Sequence, residues 1–255
     1  MKPDTKGSYR QLNPSDKLTD FVDSYWEHIN LTNQPKVVTI APDSFFKVII
    51  ELVDGKIVAY FLTGLWPTET EVVIPANATV YGIKFKILAP EYIFEREVAP
   101  LLLSHVELDL EFWDIKNFNF DSFENVVHQV ETVLIAKLEL GKKVEGKKLQ
   151  LAQLLCQVEG NISAEEVSNQ IAWSNRQINR YLNKYLGVSL KTYLNIQKVY
   201  HAYIQIREGK FFPEIGYFDQ AHFIREVKKH TNKTPKELYK EQHDRFIQLK
   251  YIQKK

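Results

Sequence analysis

Apolar and polar positions along the chain repeat with two different periods. Between residues 45 and 87 they alternate with a period of two. After about residue 121 the spacing is that of helices. In the first region, Phe45-Phe46-Lys47-Val48-Ile49-Ile50-Glu51-Leu52-Val53 is aromatic and β-branched, and Lys56-Ile57-Val58-Ala59-Tyr60-Phe61-Leu62 follows after Asp54-Gly55. An Asp-Gly pair between two such runs predicts a hairpin, because glycine accepts the positive φ of a type I′ turn. Ile83-Lys84-Phe85-Lys86-Ile87 alternates strictly, which puts Ile83, Phe85 and Ile87 on a buried face and both lysines in water. Val72-Val73-Ile74 reads as a shorter strand stopped by Pro75. Leu18, Phe21, Val22, Tyr25 and Trp26 have helical spacing, so a helix is expected to cover one end of a small antiparallel sheet or barrel.

The second region predicts helices throughout. A long one begins near Asp121, with Asp121 and Glu124 placed as a capping box. Its stripe of Phe123, Val126, Val127, Val130, Val133, Leu134 and Leu138 suits packing on its own sheet or a homodimer interface through helix 121–140. Gly141-Lys142-Lys143-Val144-Glu145-Gly146-Lys147-Lys148 has little to bury and reads as a linker. Leu149, Leu151, Leu154, Leu155 and Val158 mark the next helix, ended by Gly160-Asn161. Ser163 with Glu166 caps a short helix to about Gln170, Ala172-Trp173 turns, and Ser174 caps a third helix that Gly187 closes after Leu186. The expectation is an α+β protein of two domains: β-rich over 1–140, linker over 141–148, all-α over 149–255.

Charge reinforces that division. The net charge of +1 conceals residues 1–150, with 16 basic and 22 acidic side chains (net −6), and residues 151–255, with 17 and 10 (net +7). A basic half joined to an acidic one is the pattern of a nucleic-acid-binding domain attached to another module. Cys156, the single cysteine, excludes an intramolecular disulfide framework. No apolar run approaches the roughly 18–20 residues of a membrane span. Met1-Lys2-Pro3-Asp4 lacks the apolar stretch of a signal peptide, so a cytoplasmic protein without membrane contact is expected.

Short helix, tight turn and capped second helix is the layout of a helix-turn-helix. In the second helix, Ile178, Tyr181, Leu182 and Tyr185 share a core face, and Arg176, Gln177, Asn179, Arg180 and Asn183 share the opposite one. Arginine donates two hydrogen bonds to guanine O6 and N7, and Asn or Gln can do the same with adenine. No acid interrupts residues 175–186.

Ser174-Asn175-Arg176-Gln177-Ile178-Asn179-Arg180-Tyr181-Leu182, then Leu186-Gly187-Val188-Ser189 and Tyr193, resembles the first helix-turn-helix of AraC/XylS-type transcription regulators. Gly216-Tyr217-Phe218-Asp219-Gln220-Ala221-His222-Phe223-Ile224-Arg225-Glu226-Val227-Lys228-Lys229, followed by Thr234-Pro235, resembles the second part of that signature. The resemblance, which spans about residues 150–240, implies two helix-turn-helix units joined by a long helix near Leu190–Arg207, bound to double-stranded DNA. It implies base-reading roles for Arg176, Gln177, Asn179 and Arg180, and for Gln220, Ala221, Ile224 and Arg225. Ser174, Lys191, Lys228, Lys229, Lys233 and Lys236 are placed for phosphates. One departure stands out: Gly209-Lys210-Phe211-Phe212-Pro213-Glu214-Ile215 leads straight into Gly216, a shorter approach than the family's, and Pro213 would stop a regular helix. The second unit either docks with altered geometry or contributes phosphate contacts alone.

The N-terminal half more loosely resembles the β-rich sensory domains that precede such units, through Tyr25-Trp26, Pro42-Asp43, Gly64, the strand from Tyr81 and Ala89-Pro90. A small-molecule effector or a homodimer would then be partners, with RNA polymerase implied by the family. Trp26, Phe46, Trp66, Tyr81 and Phe85 could line an apolar effector pocket or form plain core. Catalysis, a metal site and a cofactor have no sequence support. His28, His105, His128, His201, His222, His230 and His243 form no ligand spacing, and no Gly-rich phosphate loop or Gly-x-Ser-x-Gly occurs. The reading is a sequence-specific DNA-binding regulator with recognition helices near 174–186 and 219–230. The alternative is an interaction module with mainly non-specific DNA binding.

Overall fold

The computed structural model describes residues 7–212, 217, 219–231 and 233–240. Pro213, Glu214, Ile215, Gly216 and Phe218 of the second signature, together with His243, lie outside the described residues.

Among the described residues of the N-terminal half, eight strands follow one another: β1 (Gly7–Leu12), β2 (Val22–Asn30), β3 (Lys36–Ile40), β4 (Phe46–Val53), β5 (Lys56–Thr63), β6 (Thr70–Ile74), β7 (Ala78–Phe85) and β8 (His105–Glu107). Six form an antiparallel sheet in the order β1-β2-β7-β4-β5-β8, and β3 and β6 pair as a separate ribbon. The expected hairpin joins β4 to β5. Asp54 (φ 50°) and Gly55 (φ 74°) both lie in the left-handed region, as a type I′ turn demands.

Alternation gives the sheet two different faces. Phe46, Val48, Ile50 and Leu52 point into a core covered by helices, with Tyr25, Tyr81, Ile83 and Phe85. Ile49, Tyr9, Ala78 and Val80 face the ribbon and pack on its Val38 and Ile74. On that second face Trp26 stands opposite Gly82 in register, and its indole lies so close to the strand that any Cβ at Gly82 would collide with the ring.

Two sequence expectations are corrected here. Leu18 closes a 3-10 turn over Asp16–Leu18, but Val22, Tyr25 and Trp26 belong to β2 and not to a helix. A register shift between Val22 and Ser24 inserts an extra residue, and this bulge produces the helix-like spacing of buried positions. Lys84 is not in water. It is only 3% exposed, because the far face of β7 is itself covered.

The helices are α1 (Ala89–Tyr92), α2 (Phe123–Leu140), α3 (Gly146–Val158), α4 (Ala164–Ile171), α5 (Asn175–Leu186), α6 (Leu190–Arg207), α7 (Gln220–Thr231) and α8 (Pro235–Lys240). Ser122, one residue later than expected, caps α2 by accepting from the Asn125 amide at 3.1 Å, and Asp121 instead bonds Asn119. α2 buries Phe123, Val126, Val130 and Leu134 against its own sheet, so the apolar stripe is largely consumed within the chain.

The segment read as a linker is pinned. Its second half already belongs to α3, and Lys142 and Lys148 both reach Glu91 Oε1, at 2.8 and 3.0 Å. The Glu145 amide donates to the Tyr92 hydroxyl. One continuous apolar cluster runs from Leu18 in the sheet region to Leu194 in α6. The change from β to α is therefore a boundary of secondary structure that the core crosses.

Burial of the Glu91 carboxyl opposes its charge, but Lys142 and Lys148 outweigh that effect and hold its pKa below the ordinary 4.5. A carboxylate with a depressed folded pKa stabilises above its unfolded pKa, and that contribution is lost as pH falls through the folded value. Glu91→Gln should therefore cost about 1–3 kcal/mol near neutral pH. The gap between variant and wild type in urea unfolding should close as the medium is taken below pH 4.5. A pH-independent gap would contradict the ion-pair origin.

Candidate nucleic-acid interface

The first helix-turn-helix forms as its caps dictate. Ser163 and Glu166 make a reciprocal capping box at the start of α4. Ala172 leaves that helix in the left-handed region, and Ser168 Oγ donates to the Trp173 carbonyl at 2.6 Å, tightening the turn. Ser174 and Gln177 make a second capping box at the start of α5. Val167, Ile171, Ile178 and Leu182 are buried between the two helices. Ser189 caps α6 by accepting from the Thr192 amide, and α6 has the span expected for the connecting helix.

The polar face of α5 is divided by this arrangement. Arg176 and Arg180 are exposed and have no acidic partner among the described residues. Gln177 is exposed, but its Oε1 accepts from the Ser174 amide and hydroxyl, so that atom serves the cap. The Ser174 hydroxyl is likewise engaged with Gln177. Asn179 is half-buried. Its Nδ2 donates to the Asn175 carbonyl at 2.8 Å and its Oδ1 accepts from the Leu190 amide at 2.9 Å. Asn179 thus ties α5 to the start of α6, satisfying an amide that a helix N-terminus leaves without a partner. Sequence periodicity placed it on the exposed face; the loop that returns Leu190 to it is not visible in a helical repeat. Lys191 is exposed on the first turn of α6.

In the second unit Asp219 caps α7, its carboxylate accepting from the His222 amide at 2.6 Å. Gln220, Ala221, Arg225, Lys228 and Lys229 are exposed, while Phe223 and Val227 are buried. Ile224 is half-buried and packs on the core of the unit, so it sits apart from the other base-reading candidates. Lys236 is exposed; Lys233 is half-buried, and its amide donates to the Thr231 hydroxyl.

The five aromatic pocket candidates do not converge. Phe46 and Phe85 stack at 5.3 Å under Phe94 and Trp113. Tyr81 stacks on Phe120 and Phe123. These three are core on the helix-covered face. Trp26 is on the opposite face, stacked on Tyr9 at 6.1 Å, and Trp66 bridges to Asp43 outside the main strands.

What sequence reading missed is a buried ionic cluster where the sheet meets α6. Lys47 and Lys84 are directly paired across β4 and β7. Adjacent like charges repel, and Asp43 sits between them, 2.7 Å from Lys47 and 3.5 Å from Lys84. Burial pushes the Lys47 ammonium below its ordinary pKa, with Asp43 recovering part of the loss. Burial works against the Lys84 charge too, but Tyr200 and Asp43 more than restore it. The Lys84 ammonium lies 5.7 and 5.8 Å from the ring centroids of Phe45 and Tyr200. Nearby, the Tyr193 side chain is fully enclosed beside Ser44, and Tyr203 donates to Glu69 at 3.4 Å. At the other end of the seam, Tyr181 donates to the Ile87 carbonyl, and the Val98 amide donates to the Tyr185 carbonyl at 2.9 Å. The Asp43–Lys47 spacing of four was the one local signal; the cross-strand pairing that adds Lys84 was not legible.

The described helices have the order that the AraC/XylS resemblance implies: a helix-turn-helix (α4 and α5), a long connecting helix (α6) and a further helix, α7, at the place of the second signature. Among known proteins, residues 10–107 match the family described as a domain of unknown function, DUF6597. No curated protein matches the chain. Solved structures of ToxT from Vibrio cholerae are similar to it. An apo ToxT variant aligns at 9% identity over 94% of this chain and 98% of that one, with a TM-score of 0.41. ToxT from strain O395 bound to (E)-4-(8-methylnaphthalen-1-yl)but-3-enoic acid aligns at 12% identity over 91% and 97%, with a TM-score of 0.40.

The two kinds of residue on α5 separate experimentally. Asn179→Ala should destabilise the protein by about 1 kcal/mol, as losing a helix cap does. Arg176→Ala should leave thermal unfolding within about 0.5 kcal/mol of wild type, the usual result for an exposed surface position. Equal losses in the two variants would remove the tether from Asn179.

Proposed function

We propose that this protein is a transcription regulator of AraC/XylS type, which binds double-stranded DNA in the major groove with α5 and α7. The observation that carries the reading is the acid-free, solvent-facing surface of α5. It presents Arg176 and Arg180 without acidic partners among the described residues, on a helix fixed by a capping box and a tight turn, within the half of the chain that carries a net +7. Arg176 and Arg180 read bases, and Gln177 does so through its amide nitrogen. Gln220, Ala221 and Arg225 are the base-facing positions of α7. Lys191, Lys228, Lys229 and Lys236 meet phosphates and set affinity without sequence information. The protein acts from the cytoplasm, without catalysis, by placing itself where RNA polymerase is recruited or blocked. The N-terminal sheet senses a small molecule or joins two copies.

A second reading has an observation in its favour. Asn179 is tied into the fold and Ile224 into a core, which leaves fewer free readers than the sequence pattern offers. On that reading the protein is an interaction module with mainly non-specific DNA binding.

Selection of bound sequences from random DNA, using the full chain, separates the two. A recovered consensus supports the regulator. Retention of DNA with no consensus, and a steep loss of affinity with salt, supports the module. If the regulator reading holds, Arg180→Ala should weaken the selected site by about 1–3 kcal/mol and relax preference at one base pair, as measured by competition binding.

A further inference from the structure

We propose that Lys147 is a DNA-phosphate contact of the first helix-turn-helix unit, supplied by the segment whose composition reads as a linker. The proposal rests on the DNA-binding reading of the preceding subsection, but it needs no base preference.

The lysines of this segment divide by what they reach. Lys142 and Lys148 turn inward and share Glu91 Oε1. Lys147 turns to the other unit. Its ammonium donates to the Ala172 carbonyl at 2.8 Å, in the turn between α4 and α5. That bond uses one of the three protons of the ammonium, which leaves two for a ligand. Lys147 is exposed and has no acidic partner among the described residues. Glu145, close by in sequence, pairs with Lys148 at 3.0 Å instead.

This charge is held in place. Lys147 and Lys148 are adjacent in the first turn of α3. The Lys148 side chain is only 17% exposed, bound by two carboxylates, with its ammonium 5.5 Å from the ring centroid of Tyr181 on α5. The start of α3 therefore rests on α5 through Lys148 and on the turn before α5 through Lys147. A free surface lysine loses rotamer entropy when it meets a ligand, and an ammonium already fixed at a carbonyl has less to lose.

Its position suits a DNA backbone. In a helix-turn-helix the first helix crosses the phosphate backbone, and the N-terminal residues of the second reach base edges. Ala172 lies just before the Ser174 cap and about one helical turn before Arg176, so the Lys147 charge stands where the chain enters the groove. Counting charge by halves hides this, because Lys147 falls in the acidic half.

The test measures the affinity of the full chain for random-sequence DNA, and for a selected site where one is recovered, against salt. Lys147→Gln removes the charge and keeps a donor, and Lys147→Arg keeps the charge. Lys56→Gln removes an equal charge at the β4–β5 hairpin. Each phosphate contact contributes about 0.9 to the slope of log affinity against log salt. Lys147→Gln should flatten that slope by about 0.9 and weaken binding roughly fivefold at about 0.1 M salt, alike on every sequence. Its base preference should stay that of wild type. Lys147→Arg and Lys56→Gln should behave as wild type. An unchanged slope in Lys147→Gln overturns the proposal. So does an equal flattening by Lys56→Gln, which reflects net charge alone. A weakening confined to one base pair, or one that Lys147→Arg does not restore, also overturns it, since Lys147 then serves sequence reading or the fold. In all of these outcomes wild type still binds DNA, and the reading of the preceding subsection stands. If wild type retains no DNA at any salt, that reading fails and the contact fails with it.

Discussion

Two lysines stand side by side across paired strands, buried, with one aspartate between them. This cluster of Lys47, Lys84 and Asp43 constrains the rest of the molecule. Isolated buried ammonium groups are costly, and a paired one still needs its remaining protons satisfied. The sheet cannot close over these charges by itself, because they lie on its far face, at the end where the β3–β6 ribbon gives way. Helix α6 provides the cover. Tyr200 sets its ring against Lys84, and Tyr203 reaches Glu69. The polar character of this contact decides where α6 lies, and α6 carries a helix-turn-helix unit at each end. These charges help to fix α6, and with it α5 and α7, against the sheet, beside the apolar cluster that runs from Leu18 to Leu194.

The other end of the molecule makes the same point with different chemistry. Glu91 draws Lys142 and Lys148 onto one carboxylate oxygen, and the backbone of Val98 bonds that of Tyr185. A segment whose composition is that of a flexible tether is held at both ends by charge. Composition describes what the unfolded chain would do with four lysines and two glycines; the buried carboxylate, distant in sequence, decides what the folded chain does.

Features legible in the sequence were those with local causes. The Asp54-Gly55 turn, the Ser163 capping box, the Ser174 cap, the Gly187 terminus and the span of α6 each depend on residues within a few positions of one another. The faces of α5 were legible for the same reason. What escaped depends on partners far along the chain. β2 was misread because a bulge imitates helical spacing, and Lys84 because alternation shows which side of a strand a residue faces but not whether that side is covered. Asn179 was assigned to the outer face of α5 because nothing in its helix reveals that Leu190 folds back onto it. The aromatic residues are a milder case: their burial was foreseeable, but their division between two faces follows from strand register.

The seam between sheet and α6 also bears on how the protein is made. Ser44, Lys47 and Lys84 leave the ribosome long before Tyr193 and Tyr200. Until α6 has been synthesised, the growing chain carries an open sheet with charged groups on the face that will later be sealed. Those charges then have a second use. They keep an unfinished sheet hydrated on one side during the interval when an apolar face would invite pairing with other nascent chains. Sealing is a late step that joins distant parts of the chain, and such closures are slow because the intervening chain must be ordered first. A cluster that is expensive to bury in the finished molecule is, on this view, protective in the incomplete one.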